Sequence, residues 1–162
     1  MAAITHWRRR CPWPQDVQVE QDLILSRALV EIFHEPVPAS CLLLRGGTAL
    51  AKLHRGTRVR YSEDLDFVQK SPGPIGPVLT GVRRRLDPWL GEPRRSFGEG
   101  RVTVRYRFLS EVSPVVPLRL KIEINTREHF TVLGPLRVPF EVRSGHAIGH
   151  MRGQRVSCPF GG

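Results

Sequence analysis

From Asp16 to about His34 apolar side chains recur at spacings of three and four: Val19, Leu23, Leu25, Ala28, Leu29, Ile32 and Phe33. The spacing predicts an amphipathic helix, which Pro36 and Pro38 end. Leu42 to Leu44 is a short apolar run, and it predicts a buried strand over Cys41–Arg45 with a helix over Thr48–His54 behind it. Asp64-Leu65-Asp66-Phe67 alternates polar and apolar, as a half-buried strand does. Ile75 to Leu90 reads as a further helix, with Pro77 in its first turn and Arg83, Arg84 and Arg85 towards solvent. Arg94–Phe97 and Arg101–Leu109 read as a hairpin about Gly98-Glu99-Gly100. In Leu118–Asn125, Leu118, Leu120, Ile122 and Ile124 alternate with Arg119, Lys121, Glu123 and Asn125, and Val138–Val142 reads as a last strand. The fold class is therefore α+β: a mixed sheet with helices packed over it, one domain over residues 16–144. Residues 1–15 read as a disordered basic N-terminus, and residues 145–162 as an irregular, Gly-rich tail.

Composition narrows the classes. The 162 residues carry a net charge of +10, and 22 of the 25 basic residues are arginine. Such an excess favours a polyanionic partner, unless coding bias towards arginine is its cause. No apolar stretch nears the ~20 residues of a membrane helix, and no apolar run follows the basic N-terminus as in a signal peptide. Cys11, Cys41 and Cys158 are odd in number and scattered, which argues against a disulfide framework and for a reducing compartment, the cytoplasm. Trp7 and Trp13 either pack on the domain or stack on a base. His146, His150 and Cys158 offer metal-ligand types, but the glycines around them give no rigid frame.

One stretch carries chemistry. Gly46 and Gly47 follow the Leu42–Leu44 run, lack Cβ atoms and let the backbone turn and approach a ligand closely. Thr48 is placed to cap the following helix, whose N-terminus favours anions. Sixteen residues separate Gly47 from Asp64. On a strand, Asp64 and Asp66 share one face and repel each other unless a cation lies between them. A hard ion that leaves room for substrate phosphates, Mg²⁺ or Mn²⁺, fits that need, and two such ions would clamp a phosphoryl transfer. Arg55, Arg58 and Arg60 lie between the two halves, either as phosphate contacts or as a solvated loop.

Gly46-Gly47-Thr48-Ala49-Leu50 with Tyr61-Ser62-Glu63-Asp64-Leu65-Asp66-Phe67 closely resembles the motif of the AbiEii/AbiGii-type nucleotidyltransferase toxins, a branch of the polymerase-β-like nucleotidyltransferase superfamily. A looser resemblance runs from about Gln21 to Ser144, including Lys-Ile-Glu-Ile-Asn at 121–125. It implies a nucleotidyltransferase core and transfer of a nucleotide from an NTP to an acceptor, the 3′ end of tRNA or another RNA, in a toxin paired with a cognate antitoxin. Gly46, Gly47, Thr48 and Arg60 would bind the nucleotide, and Asp64 and Asp66 the metal. Glu123 takes the place of the superfamily's third carboxylate, with Lys121 beside it. The family's downstream helical part, with a further Lys and Asp, has no counterpart after Ser144. On this reading the copy is truncated, and a catalytically inactive remnant that still binds nucleotide, RNA or antitoxin is the rival expectation. A plain basic RNA-binding domain would explain the charge but not the Asp-Leu-Asp motif.

Overall fold

The structure is a computed structural model; it describes residues 2–53, 61–129, 136–140, 142 and 154–158. Its elements are α1 (Ala2–Arg8), α2 (Asp16–His34), α3 (Pro36–Cys41), β1 (Leu42–Arg45), α4 (Gly46–Leu53), β2 (Asp64–Gln69), α5 (Gly76–Leu90), β3 (Arg94–Gly98), β4 (Arg101–Leu109), β5 (Pro117–Asn125), β6 (Leu136–Phe140) and β7 (Gln154–Cys158).

Five strands form a mixed sheet in the order β1-β2-β5-β4-β3. Only β2 and β5 run parallel; the other neighbours are antiparallel. The alternation read from the sequence sets the register. Leu65, Phe67, Val102, Val104, Tyr106, Leu120, Ile122 and Ile124 are buried in one core with Leu25, Leu29, Ile32 and Phe33 of α2 and Val78, Val82 and Leu86 of α5. Each such side chain contributes about 1.5–3 kcal/mol on leaving water. The intervening polar residues therefore lie on the opposite, open face of the sheet.

Four expectations change. Helix α2 is not amphipathic in the simple sense: it lies between α1, α5 and the sheet and buries Glu20, Gln21, Asp22, Ser26 and Glu31 as well as its apolar side. Each of these polar groups has a partner, as burial demands. Glu20 accepts from the backbone N–H of Glu111 and Val112, Gln21 donates to the Arg119 carbonyl, and Glu31 pairs with Arg85. The N-terminal segment is not simply disordered: Ala2–Arg8 is helical and buries Ile4 and Trp7 against α2. Both tryptophans pack: Trp7 Nε1 donates to Asp22, and Trp13 meets Tyr61 edge-on. The segment beyond 144 is not wholly irregular, since Gln154–Cys158 pairs antiparallel with Leu136–Phe140 in a second, two-stranded sheet. Finally, Pro36 does not only stop a helix; it opens the short α3, where its missing N–H costs nothing.

The arginine run of α5 is more than a solvated face. Arg83 pairs with Asp87, Arg84 with Glu35 and Arg85 with Glu31, so the charges tie α5 to α2 and α3. No helix among the described residues is long and apolar enough to cross a membrane.

Candidate active site

The register of β1, β2 and β5 assembles the site. Arg45 stands opposite Asp66, Asp66 opposite Glu123, and Asp64 opposite Lys121. Three carboxylates from two neighbouring strands thus share the open face, although Glu123 is far from the aspartates in the chain. Residues 54–60, and with them Arg60, lie outside the described residues, as do His146 and His150 and the side chain of Cys158.

The Gly turn behaves as its composition demands. Gly46 has φ +78, a left-handed conformation that costs a residue with a Cβ dearly. A Cβ at Gly46 would also lie 2.8 Å from Asp66 Oδ2. The absence of a side chain therefore lets the N-terminus of α4 lie directly against the Asp66 carboxylate. Gly47 is different: a Cβ there would meet no atom within 4 Å. Its surroundings leave space for a ligand rather than forbidding a side chain.

Thr48 departs from the expected cap. It lies inside α4, and its hydroxyl donates to the Asp64 carbonyl at 2.6 Å while sharing a second contact with Ser62 Oγ at 2.7 Å. It is 1% exposed, so it pins the glycine helix to the start of β2 rather than presenting its hydroxyl to a ligand.

Electrostatics separate the carboxylates. Burial first, then the charges of Asp64 and Glu123, push the Asp66 carboxyl above the ordinary carboxylate range; Lys121 and Arg45 offset only part of this. Burial acts the same way on Glu123, but the Lys121 hydrogen bond and charge, helped by Arg101, outweigh it and hold that carboxyl low. Lys121 Nζ lies 3.1 Å from Glu123 and 3.5 Å from Asp64, and the Glu123 hydrogen bond above all raises its own pKa. Asp64 Oδ1 is buried without a hydrogen-bond partner among the described residues. An orphaned carboxylate oxygen beside a second carboxyl that resists ionisation is an oxygen donor set lacking a cation. No group of three or more His, Cys, Asp or Glu side chains among the described residues forms a metal cage. Two aspartates completed by substrate phosphates and water are the kind of incomplete set that Mg²⁺ uses, so the residues present fit the ion.

The model of a known family, the nucleotidyl transferase AbiEii toxin of type IV toxin–antitoxin systems, matches residues 27–151. The chain belongs to this family. Among solved structures, MenT4, a nucleotidyltransferase toxin from Mycobacterium tuberculosis H37Rv, is 19% identical with a TM-score of 0.61, over 95% of this chain and 52% of that one. JHP933 from Helicobacter pylori is 20% identical with a TM-score of 0.54, over 85% of this chain and 50% of that one. At these identities the likeness concerns the fold. The chain spans about half the length of these structures. No curated protein matches the sequence.

In this AbiEii-family chain the structure brings together Gly46, Gly47, Asp64, Asp66, Lys121 and Glu123, and gives Thr48 a bracing role. It adds Arg45 and Arg101, which the sequence did not single out. Arg45 pairs with Glu128 at 2.9 Å on the rim, and Arg101 reaches Glu123 at 3.4 Å. Arg45 was legible in principle, as the last residue of the strand before the glycines. Arg101 was not, because only the β4–β5 register brings it near the site. Gly47→Val is expected to weaken triphosphate binding while leaving the melting temperature nearly unchanged. A Cβ there meets no atom within 4 Å, and the branched side chain beyond it would fill the approach to the α4 N-terminus. Calorimetric NTP titration beside a thermal melt checks this; unchanged affinity in a cooperatively folded variant refutes it.

Proposed function

We propose that this chain carries the nucleotide and metal site of a Mg²⁺-dependent nucleotidyltransferase of the toxin–antitoxin type, acting on an RNA acceptor, the 3′ end of tRNA. The observation that carries the reading is the convergence of Asp64, Asp66 and Glu123 on one open sheet face, against a helix N-terminus that two glycines leave accessible. The free N–H groups at the start of α4 would hold the triphosphate. Asp64 and Asp66 would hold the ion, Mg²⁺ or Mn²⁺, which when bound supplies charge neutralisation at the phosphates. The acceptor hydroxyl oxygen forms a bond to the α-phosphorus, the bond from that phosphorus to the bridging oxygen breaks, and pyrophosphate leaves. Glu123, held ionised by Lys121 and Arg101, is suited to accept the hydroxyl proton. Positioning and charge account for most of the rate in such chemistry. The antitoxin would be a further partner of the complete system.

A second reading, binding without transfer, draws support from Lys121, whose ammonium already bridges Asp64 and Glu123. One experiment separates the two. The purified chain is incubated with labelled NTPs, Mg²⁺ and total tRNA. Label in RNA that disappears in Asp64→Ala supports transfer. No label, with metal-dependent NTP binding intact, supports binding alone, and neither activity rejects both.

A further inference from the structure

The open face does not end at the carboxylates. Cross-strand pairing places Asp64 opposite Lys121, Lys121 opposite Arg105, and Arg105 opposite Arg94, in one row across β2, β5, β4 and β3. The neighbouring row pairs Arg119 with Arg107. Paired residues point to the same side of a sheet, and the alternate side chains Val104, Tyr106, Leu120 and Ile122 are buried against the helices. All these cations therefore stand on the side of the sheet that carries Asp64 and Asp66. At about 4.8 Å per strand, Arg105 lies roughly 10 Å from the Asp64 position and Arg94 roughly 14 Å.

The face is built for a polyanion. Its β4 and β3 positions are Arg101, Thr103, Arg105, Arg107, Leu109, Arg94, Ser96 and Gly98, with no carboxylate. Arg94, Arg105 and Arg107 have no carboxylate partner among the described residues, and Arg105 Nε is buried without any hydrogen-bond acceptor. Arg119 touches Glu63 only at 3.5 Å. The exposed Phe97 belongs to the other face, since it pairs with the buried Val102; Leu109 shares the arginine face but stands at its far end, opposite Pro117. The core of a protein interface is apolar and depleted of charge, whereas nucleic-acid interfaces are polar and strongly positive.

We infer that Arg94, Arg105, Arg107 and Arg119 form a track for the phosphate backbone of the single-stranded acceptor end, which runs over β3 and β4 and delivers its terminal hydroxyl to Asp64 and Asp66. The inference rests on the transferase reading for its direction, but the contact itself is a binding property. Phosphate contacts of this kind fix register without reading sequence.

The test measures binding, not turnover. A fluorescent single-stranded RNA oligonucleotide is titrated with the full chain by anisotropy over a range of salt. Each backbone contact contributes about 0.7 to the log–log salt slope for single strands. The exposed pair Arg94→Gln/Arg107→Gln is expected to bind more weakly, with a slope shallower by about 1.4. Arg9→Gln/Arg95→Gln removes the same charge away from this face, Arg95 being exposed and paired with the buried Val104, and is expected to keep the parent slope. NTP–Mg²⁺ binding by calorimetry is expected to stay at the parent level in both variants, which separates failure of the track from failure of the nucleotide site. An unchanged slope in the face variant, or an equal loss in the other, overturns the inference. So does displacement of RNA by poly-glutamate at matched charge, which would mark the face as the seat of an acidic protein.

Discussion

Asp66→Asn is expected to abolish the metal-dependent part of NTP binding and, at the same time, to raise the melting temperature of the metal-free protein. The two effects have one cause. Asp66 is half-buried beside Asp64 and Glu123, and its carboxyl is pushed up because its charge is unwelcome there. A group whose folded pKa exceeds its unfolded value costs stability above the folded pKa, and the cost vanishes below both values. Asn removes that cost at neutral pH and should change little in acid. On the proposed assignment it also removes one of two anionic ligands, and loss of one well-placed electrostatic group typically costs about 10²–10³ in rate where transfer occurs. Calorimetry with Mg²⁺ and NTP, paired with melts at neutral and acid pH, reads both sides. Identical metal-dependent binding in parent and variant would remove these carboxylates from the metal site.

Lys52→Met is expected to give the largest loss of stability of any single side-chain change near the site. Lys52 Nζ lies 2.5 Å from Asp22, with side chains only 13% and 6% exposed. Asp22 also accepts from Trp7 Nε1 at 2.8 Å and contacts Cys11 Sγ at 3.3 Å. Burial alone would raise the Asp22 pKa, but the Lys52 charge and hydrogen bond, then Trp7 and Cys11, bring it below the ordinary value. Removing the cation leaves a buried carboxylate with two neutral donors, a change that costs about 3–5 kcal/mol. Met keeps the apolar stem, so the loss reports the charge. The double variant Lys52→Met/Asp22→Leu should recover much of it, because an apolar pair often replaces a buried ion pair without penalty. The sign against pH follows. A lowered folded pKa contributes stability above the unfolded value, lost as pH falls through the folded one. The parent should therefore lose its advantage over the double variant in acid. Denaturant titrations of the three proteins decide it; equal midpoints for parent and single variant would refute the account.

Much of this was legible from period-two alternation. Asp64-Leu65-Asp66-Phe67 and Leu120 to Asn125 each fix which side chains share a face, and β2 and β5 keep that pattern. The glycines were legible because φ +78 at Gly46 excludes a side chain. Contacts between distant segments were not legible. Thr48 could equally cap a helix or brace a strand, and only the approach of Asp64 decides between them. Ala2–Arg8 is a short helix whose seven residues hold no periodic signal. Burying Trp7 and Ile4 on α2 offsets its entropy, and a one-dimensional reading cannot see that surface. The polar side of α2 hid its burial for the same reason: Glu20, Asp22 and Glu31 read as solvated until their partners are in place.

The strand order has a consequence for when the site can exist. β5 is the last of the five strands in the chain, yet it is inserted between β2 and β4. Until residues 117–125 have been synthesised, β2 and β4 each present an unpaired edge and the aspartates lack Lys121 and Glu123. Non-local, parallel pairing of this kind forms late, because loop closure must precede its reward. A nascent chain that already carries the glycine turn and both aspartates therefore still lacks the three-carboxylate face, which forms in a single step when β5 closes the sheet.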